Sequence, residues 1–176
     1  MLDEPNGDLL KRFVRGDEAA FESLFRRFER EVYGWIFRIV RDPGTAEDAL
    51  VEAFWRAYRG RARFDPTRSF GAWMRRIATN VARDHLRAAR ARPAWSLSDR
   101  IAAPDRPDPH TAETIALAFR RLPIDQQVAA TLALVEERPY AEIADALDVP
   151  LGTVKSRVFR AVRALRRELA RLGVQP

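Results

Sequence analysis

The stretch PYAEIADALDVPLGTVKSRVFRAVRAL, residues 139–165, decides how the chain reads. Pro139 suits the first turn of a helix, where its missing N–H costs nothing. Tyr140, Ile143, Ala144 and Leu147 follow at helical spacing, Asp148-Val149-Pro150 interrupts them, and Val154, Val158, Val162, Leu165, Leu169 and Leu172 restart the pattern. Two helices joined by so short a turn, with Ala144 small enough for close crossing, predict a helix-turn-helix. The second helix of such a pair enters the major groove of duplex DNA. Its apolar stripe faces home, leaving Thr153, Lys155, Ser156, Arg157 and Arg160 on the first exposed turns. Those side chains can bond phosphates and base edges.

Outward from this stretch the three-and-four spacing fills the chain, and no strand pattern occurs. From Glu18, the residues Phe21, Leu24/Phe25, Phe28, Val32, Trp35/Ile36 and Ile39/Val40 mark one helical face. Asp42-Pro43-Gly44 breaks it, and Thr45 with Asp48 resembles a capping box opening a helix that carries Leu50, Ala53/Phe54 and Ala57 inward. GRARFDPTRS, residues 60–69, reads as a loop. Phe70, Trp73, Ile77, Val81 and Leu86 line a long helix ending near Arg92. Pro93, Pro104, Pro107 and Pro109 then mark a linker. Beyond it, Ile115, Ala118/Phe119 and Leu122, then Val128, Leu132 and Val135, predict two more helices. The expected fold is all-α: two small helical domains, 1–92 and 111–176, joined by a Pro-rich linker over 93–110, the second a helix-turn-helix.

Charge is distributed in blocks along this layout. Residues 56–96 hold eleven basic and two acidic side chains, and 151–176 hold seven and one. Between them, residues 97–150 hold ten acidic against five basic. The net charge of +6 therefore falls on two separate anion-facing surfaces. Nearly all of it is arginine, whose planar fork suits phosphate and guanine edges; only Lys11 and Lys155 are lysines.

The first basic block is FGAWMRRIATNVARDHLRAARAR, residues 70–92. It combines Trp73, Arg75, Arg76, Asn80, Arg83, His85 and Arg87 on one helix, beside a basic loop holding Phe64. Aromatic and amide groups among arginines suit unpaired bases, which stack and bond by their edges once out of the duplex. Phe70, Trp73 and Ile77 also fit a core face.

Other classes fare worse. No apolar run approaches the roughly 18–20 residues of a membrane span. The acidic start MLDEPNGDLL shows no signal peptide, and the chain has no cysteine, so a cytoplasmic location is expected. His85 and His110 have no metal-ligand spacing, and no phosphate loop or nucleophile elbow occurs. No enzyme activity, metal or cofactor is expected.

Three ordered stretches resemble the sigma factors of bacterial RNA polymerase, in the compact extracytoplasmic-function group of the sigma-70 family. AEDALVEAFWRAYRGRARFD, residues 46–65, is similar to the family's core-binding region and the start of its melting loop. FGAWMRRIATNVARDHLR, residues 70–87, resembles its minus-ten reading helix. LPIDQQVAATLALVEERPYAEIADALDVPLGTVKSR, residues 122–157, resembles its minus-thirty-five reading domain. The resemblance spans about residues 17–173.

It implies a transcription initiation factor whose partners are core RNA polymerase, through the clamp helices of the largest subunit and the flap of the second-largest, promoter DNA, and an anti-sigma factor of the kind common in the family. Glu47, Asp48, Val51, Glu52 and Trp55 fall where the family grips the clamp helices; an acidic patch beside apolar side chains suits a basic coiled coil. Asn80 and the Gly60–Ser69 loop fall where the family captures a flipped minus-ten base, and Lys155, Ser156, Phe159 and Arg160 where it contacts the minus-thirty-five element. Phe159 also stands at the edge of the apolar stripe. Val51 departs from the family's usual Gln, and Asp148 takes a turn position usually held by Gly, which Asp tolerates in left-handed geometry. Nothing ahead of residue 17 reads as an autoinhibitory domain, and the linker stands where larger relatives have a middle domain. The rival reading is a helix-turn-helix regulator that binds duplex DNA without polymerase; it leaves the acidic helix and the Trp/Asn/Arg helix of the first domain without a task.

Overall fold

A computed structural model of the chain describes residues 5–91 and 109–171, with side chains described over 5–91 and 115–171. Every regular element among them is helical. Contacts divide the chain into two compact units, one built on Met1–Ala89 and the other on Arg90–Ala144 with Val149–Pro176. Residues 93–108 of the expected linker lie outside the described residues.

The first unit consists of α1 (Gly7–Val14), α2 (Glu18–Val40), α3 (Pro43–Gly60), a 3₁₀ turn (Arg61–Arg63) and α4 (Phe70–Ala91). Its core is aromatic. Phe13, Phe28, Trp35 and Phe70 are at most 2% exposed. Phe13 sits edge-on to Phe70 at 5.6 Å, and Phe28 to Phe70 at 5.1 Å. At the α2–α4 contact, the Trp35 indole Nε1–H donates to Thr79 Oγ1 at 2.9 Å. The Thr79 hydroxyl in turn donates to the Arg75 carbonyl at 2.7 Å. Two polar groups are thus buried with their partners already chosen, which fixes the register of α2 on α4.

The structure differs from the sequence expectations in four places here; one is that residues 60–63, expected in the loop, are the end of α3 and the 3₁₀ turn. Helix α1 was not anticipated; it is only eight residues long, and Asn6 caps it by accepting from the Asp8 N–H. Helix α3 opens one turn earlier than the Thr45–Asp48 box implies: Asp42 is the cap, Pro43 takes the first position, and Asp42 accepts from both the N–H and the hydroxyl of Thr45 at 2.8 and 2.7 Å. The buried face of α4 is Phe70, Met74, Ala78, Val81 and Ala82, so Trp73, Ile77 and Leu86 are only half-buried on its shoulders.

Thr45 holds the Asp42 carboxyl below its ordinary pKa, chiefly through the hydroxyl and then through the N–H. A depressed folded-state pKa contributes stability above the unfolded value and loses it as pH falls through the folded one. Asp42→Ala should therefore cost about 1 kcal/mol at pH 7. Thermal unfolding followed with falling pH should show that difference shrinking once the carboxyl protonates.

The second unit consists of α5 (Pro109–Arg120), α6 (Ile124–Ala130) running into a π-helical turn (Thr131–Val135), α7 (Tyr140–Leu147) and α8 (Leu151–Arg171). Leu122, Ala130 and Ala161 form a small core, with Phe119, Ala164 and Leu165 packed on it. Val128, Leu132, Ile143, Val154 and Val158 extend the buried surface. The wider π turn rotates the side chains that follow it. That is why Val135, expected inside, stands 57% exposed beside Leu134. The turn between α7 and α8 is a Schellman closure: Val149 N–H bonds Ala144 O at 3.1 Å and Asp148 N–H bonds Asp145 O at 3.3 Å. Asp148 takes φ 53°, the left-handed geometry expected of it. Pro150 O then accepts from the Thr153 N–H at 2.8 Å as α8 begins. No helix among the described residues is long and apolar enough to cross a membrane.

Candidate nucleic-acid and protein-binding surfaces

Three faces of these helices are chemically distinct from ordinary solvated surface. The first lies on α3. Ala46, Ala49, Ala53, Phe54 and Ala57 bury one side of the helix. The opposite side carries exposed Glu47 and Asp48, with Glu52 half-buried. Between these acids Val51 is 66% and Trp55 57% exposed. Two large apolar side chains one helical turn apart, standing in solvent among carboxylates, make this a candidate protein-contact face. The Trp55 ring lies nearly parallel to that of Tyr58, 22° apart at 6.3 Å.

Glu52 is tied down. Its Oε1 accepts from Arg56 Nη2 at 2.6 Å, and its Oε2 pairs with His85 Nε2 at 2.9 Å. His85, then Arg56, hold the Glu52 carboxyl below its ordinary pKa against the opposing effect of burial. Arg56 continues to Asp84 at 2.9 Å, and Asp84 accepts from Arg87 at 3.2 Å.

The second face lies on α4. Successive residues of an α-helix turn by about 100°, so Arg76, Asn80, Arg83 and Arg87 fall along one stripe opposite the buried residues. Arg76 and Arg87 are exposed, and Asn80 and Arg83 half-buried. Asn80 Oδ1 accepts from Arg83 at 3.3 Å, which turns the amide NH₂ away from that arginine. Arg75 leaves the stripe: it bonds Glu31 at 2.7 Å and lies 5.9 Å from the Trp35 ring centre.

Two expected members of this face are elsewhere. His85 is nine residues, or half a rotation, from Arg76, and it points to α3 and Glu52. Phe64 is 5% exposed. It packs on Trp73 at 4.7 Å and Phe70 at 5.6 Å, so it anchors the Gly60–Ser69 loop instead of offering a stacking surface. The loop is exposed on both sides of Phe64, at Ala62–Arg63 and at its tip, where Asp65, Thr67, Arg68 and Ser69 stand out and Asp65 Oδ1 accepts from the N–H and hydroxyl of Thr67.

The third face is the start of α8. Val154, Val158 and Ala161 are buried; Lys155, Ser156 and Arg160 are exposed, and Thr153 is half-buried. Phe159, which spacing left at the stripe's edge, is 67% exposed. Arg160 is folded back along the helix: its Nε donates to Ser156 O at 3.1 Å and its Nη2 to Ser156 Oγ at 3.2 Å. Ser156 donates to Thr153 O at 2.9 Å. Arg157 is not on this face. Its side chain turns inward to Asp125 of α6 at 3.3 Å and braces the two helices of the second unit.

Comparison with known proteins places both units in one lineage. Residues 24–92 match the family model described as Sigma-70 region 2, and residues 112–165 that described as Sigma-70, region 4. The chain is 34% identical to the RNA polymerase sigma-H factor of Pseudomonas aeruginosa, over 96% of each chain. It is 36% identical to the ECF RNA polymerase sigma factor SigM of Mycobacterium tuberculosis, covering 96% of this chain and 86% of that one. With the ECF RNA polymerase sigma-E factor of Escherichia coli K12 it shares 34% identity, over 89% of this chain and 90% of the other. Among solved structures, CnrH in complex with the cytosolic domain of CnrY has a similar fold, with a TM-score of 0.60 at 22% identity over 93% of this chain and 96% of that one.

Proposed function

Since the chain belongs to the sigma-70 family of RNA polymerase initiation factors, in its extracytoplasmic-function group, we propose that it divides promoter recognition between its two units. It is a promoter-specific initiation factor and not an enzyme. In the proposed division, residues 1–92 hold core polymerase and the minus-ten element, 93–110 link the units, and 111–176 read the minus-thirty-five duplex.

Glu47, Asp48 and Glu52 would steer α3 onto a basic coiled coil of the polymerase largest subunit, with Val51 and Trp55 supplying the buried contact. Lys155, Ser156, Phe159 and Arg160, with Thr153 beside them, would enter the major groove, where hydroxyl, guanidinium and apolar groups each find a matching base edge. The Arg76–Asn80–Arg83–Arg87 stripe would hold the separated strand: arginines neutralise phosphate while the Asn80 amide reads the edge of an unpaired base. Capture of that base pulls the local duplex toward melting by binding energy alone. In this scheme the flap of the second-largest subunit engages the second unit, and the protein works in the cytoplasm with its polymerase. An anti-sigma partner belongs to the same proposal; the similar folds of CnrH and of RpoE from Bartonella quintana were solved bound to CnrY and to the anti-sigma factor NepR.

The observation that carries this reading is the pair Val51 and Trp55, exposed on an acidic helix. A regulator acting on duplex DNA alone has no use for it. Transcription in vitro with core polymerase, mapped to its start sites, tests the reading: discrete starts should require both the chain and core. Tight binding of the chain alone to duplex, with no added starts, would favour the regulator instead. On a promoter mapped in this way, Asn80→Ala should slow strand opening about tenfold with core affinity unchanged. Arg160→Ala should weaken promoter affinity by about 1–3 kcal/mol at fixed salt.

A further inference from the structure

Between α1 and the loop lies a contact that the three faces do not use. The α1–α2 corner turns at Gly16, with φ 91°. It is held on both sides: Gly16 N–H bonds Phe13 O at 2.9 Å, Asp17 N–H bonds Arg12 O at 3.1 Å, and the Arg12 side chain bonds Asp17 at 2.8 Å. Onto the bare Cα of this glycine packs the guanidinium of Arg61, the first residue of the 3₁₀ turn. A Cβ at Gly16 would stand 3.0 Å from Arg61 Nη2 and 3.2 Å from Nε.

The other side of the same guanidinium covers the Tyr58 ring, its central carbon 4.3 Å from the ring centre. Its Nη1 donates to the Tyr58 carbonyl at 2.8 Å. Nε is buried with no hydrogen-bond partner. A cation so placed makes one hydrogen bond and leaves another N–H dry; its shape and its stack account for the rest of its seat. Directly after it, Phe64 N–H bonds Arg61 O at 3.0 Å, and the Phe64 ring is sunk against Phe70 and Trp73. The tip 65–69 therefore follows a segment fixed at two points, Arg61 and Phe64.

We propose that Arg61 is a positioning residue for strand capture: seated between Gly16 and Tyr58, it sets where the loop tip stands, so that α1, which precedes the matched residues 24–92, takes part in promoter opening. The proposal rests on the reading of the Gly60–Ser69 loop and Asn80 as the base-capturing surface. Arg61 need not touch DNA. A flat, rigid side chain is required, because lysine keeps the charge but cannot fill the slot between a ring and a glycine.

The test uses the full chain with core polymerase on a promoter mapped by its own transcription start sites. Arg61→Ala should leave core affinity and closed-complex affinity unchanged and slow the appearance of permanganate-reactive thymines by about ten- to a hundredfold, the upper figure being the scale of a 1 Å misplacement. Arg61→Lys should be defective as well, and Gly16→Ala, which both fills the slot from the other side and strains the φ 91° corner, should be at least as defective. In the free protein, tryptic cleavage after Arg63 should rise in Arg61→Ala while that after Arg26 does not.

Normal opening by Arg61→Ala alongside a defective Asn80→Ala would overturn the role of Arg61 and leave the reading of the face intact. Normal opening by both would overturn that reading and this inference with it. Full rescue by lysine, or parallel loss of core affinity, would reduce Arg61 to a charge or to a support of the fold.

Discussion

Trp35→Ala is expected to destabilise the first unit by about 4 kcal/mol, the range for removing a buried aromatic side chain. Trp35 is 2% exposed and spans the α2–α4 contact. The substitution opens a cavity between helices that have little freedom to close on it, because Phe28 and Phe70 already meet at 5.1 Å nearby. It also removes the donor to Thr79, although the Thr79 hydroxyl keeps its own bond to Arg75 O. Against a total of about 5–15 kcal/mol for a domain, such a loss brings the unit close to its unfolding threshold. Urea unfolding followed by helical circular dichroism measures it. Trp35→Phe separates the two contributions: most of the volume is kept and the hydrogen bond is lost, so the cost should fall to about 1–2 kcal/mol. A loss below about 1 kcal/mol for Trp35→Ala would mean that the tryptophan does not key the two helices together.

The second large effect concerns α3. Trp55→Ala should weaken binding to core polymerase by about 2 kcal/mol or more, roughly thirtyfold, as befits an aromatic anchor at the centre of a contact. Its exposure of 57% means that the fold should be nearly indifferent to the change, so the helical signal and unfolding midpoint act as controls. Val51→Gln, which installs the family's usual residue, should change affinity far less. Asp48→Asn should act mainly on the association rate and lose its effect at high salt, because exposed charges steer encounter more than they hold a complex. Titration of labelled chain with core polymerase at two ionic strengths distinguishes these outcomes. Unchanged affinity in Trp55→Ala would remove α3 from the polymerase contact.

Much of this architecture was legible in the residues alone, and the misreadings share a physical origin. Periodicity located the long helices because a buried stripe every three to four residues is a strong signal over twenty positions. It could not find α1, which is two turns long and contributes only Leu10 and Phe13 to the buried surface. It put the cap at Thr45, one turn late, because Asp42 read as part of the break and its role depends on where the backbone enters the helix. Periodicity assigns a face but not a partner. His85 and Arg157 were grouped with the neighbouring basic residues, yet each is drawn to a carboxylate on a different helix, Glu52 and Asp125. Phe64 looked like a free aromatic in a basic loop because nothing local reveals that Phe70 and Trp73 fold over it. Three misplaced members of the candidate faces are thus cases in which a tertiary contact outbids local sequence context. Asn80, Lys155, Ser156 and Arg160, whose neighbours along the helix already determine their direction, stand where the pattern placed them.

The near-absence of lysine has a practical side. Apart from the α-amino group, the chain offers only two primary amines, both on exposed residues: Lys11 on α1, and Lys155 at the entrance of α8. One lies within the surface proposed to enter the groove and the other lies in a different unit, away from it in sequence. Acylating reagents therefore read the side chains of this protein at two addresses, one that DNA would shield and one that serves as the internal reference. The ratio of the two labels would report groove occupancy without a tag, a dye or a mutation, and a single acetyl group at position 155 would cancel one of the positive charges with which α8 is proposed to meet phosphate.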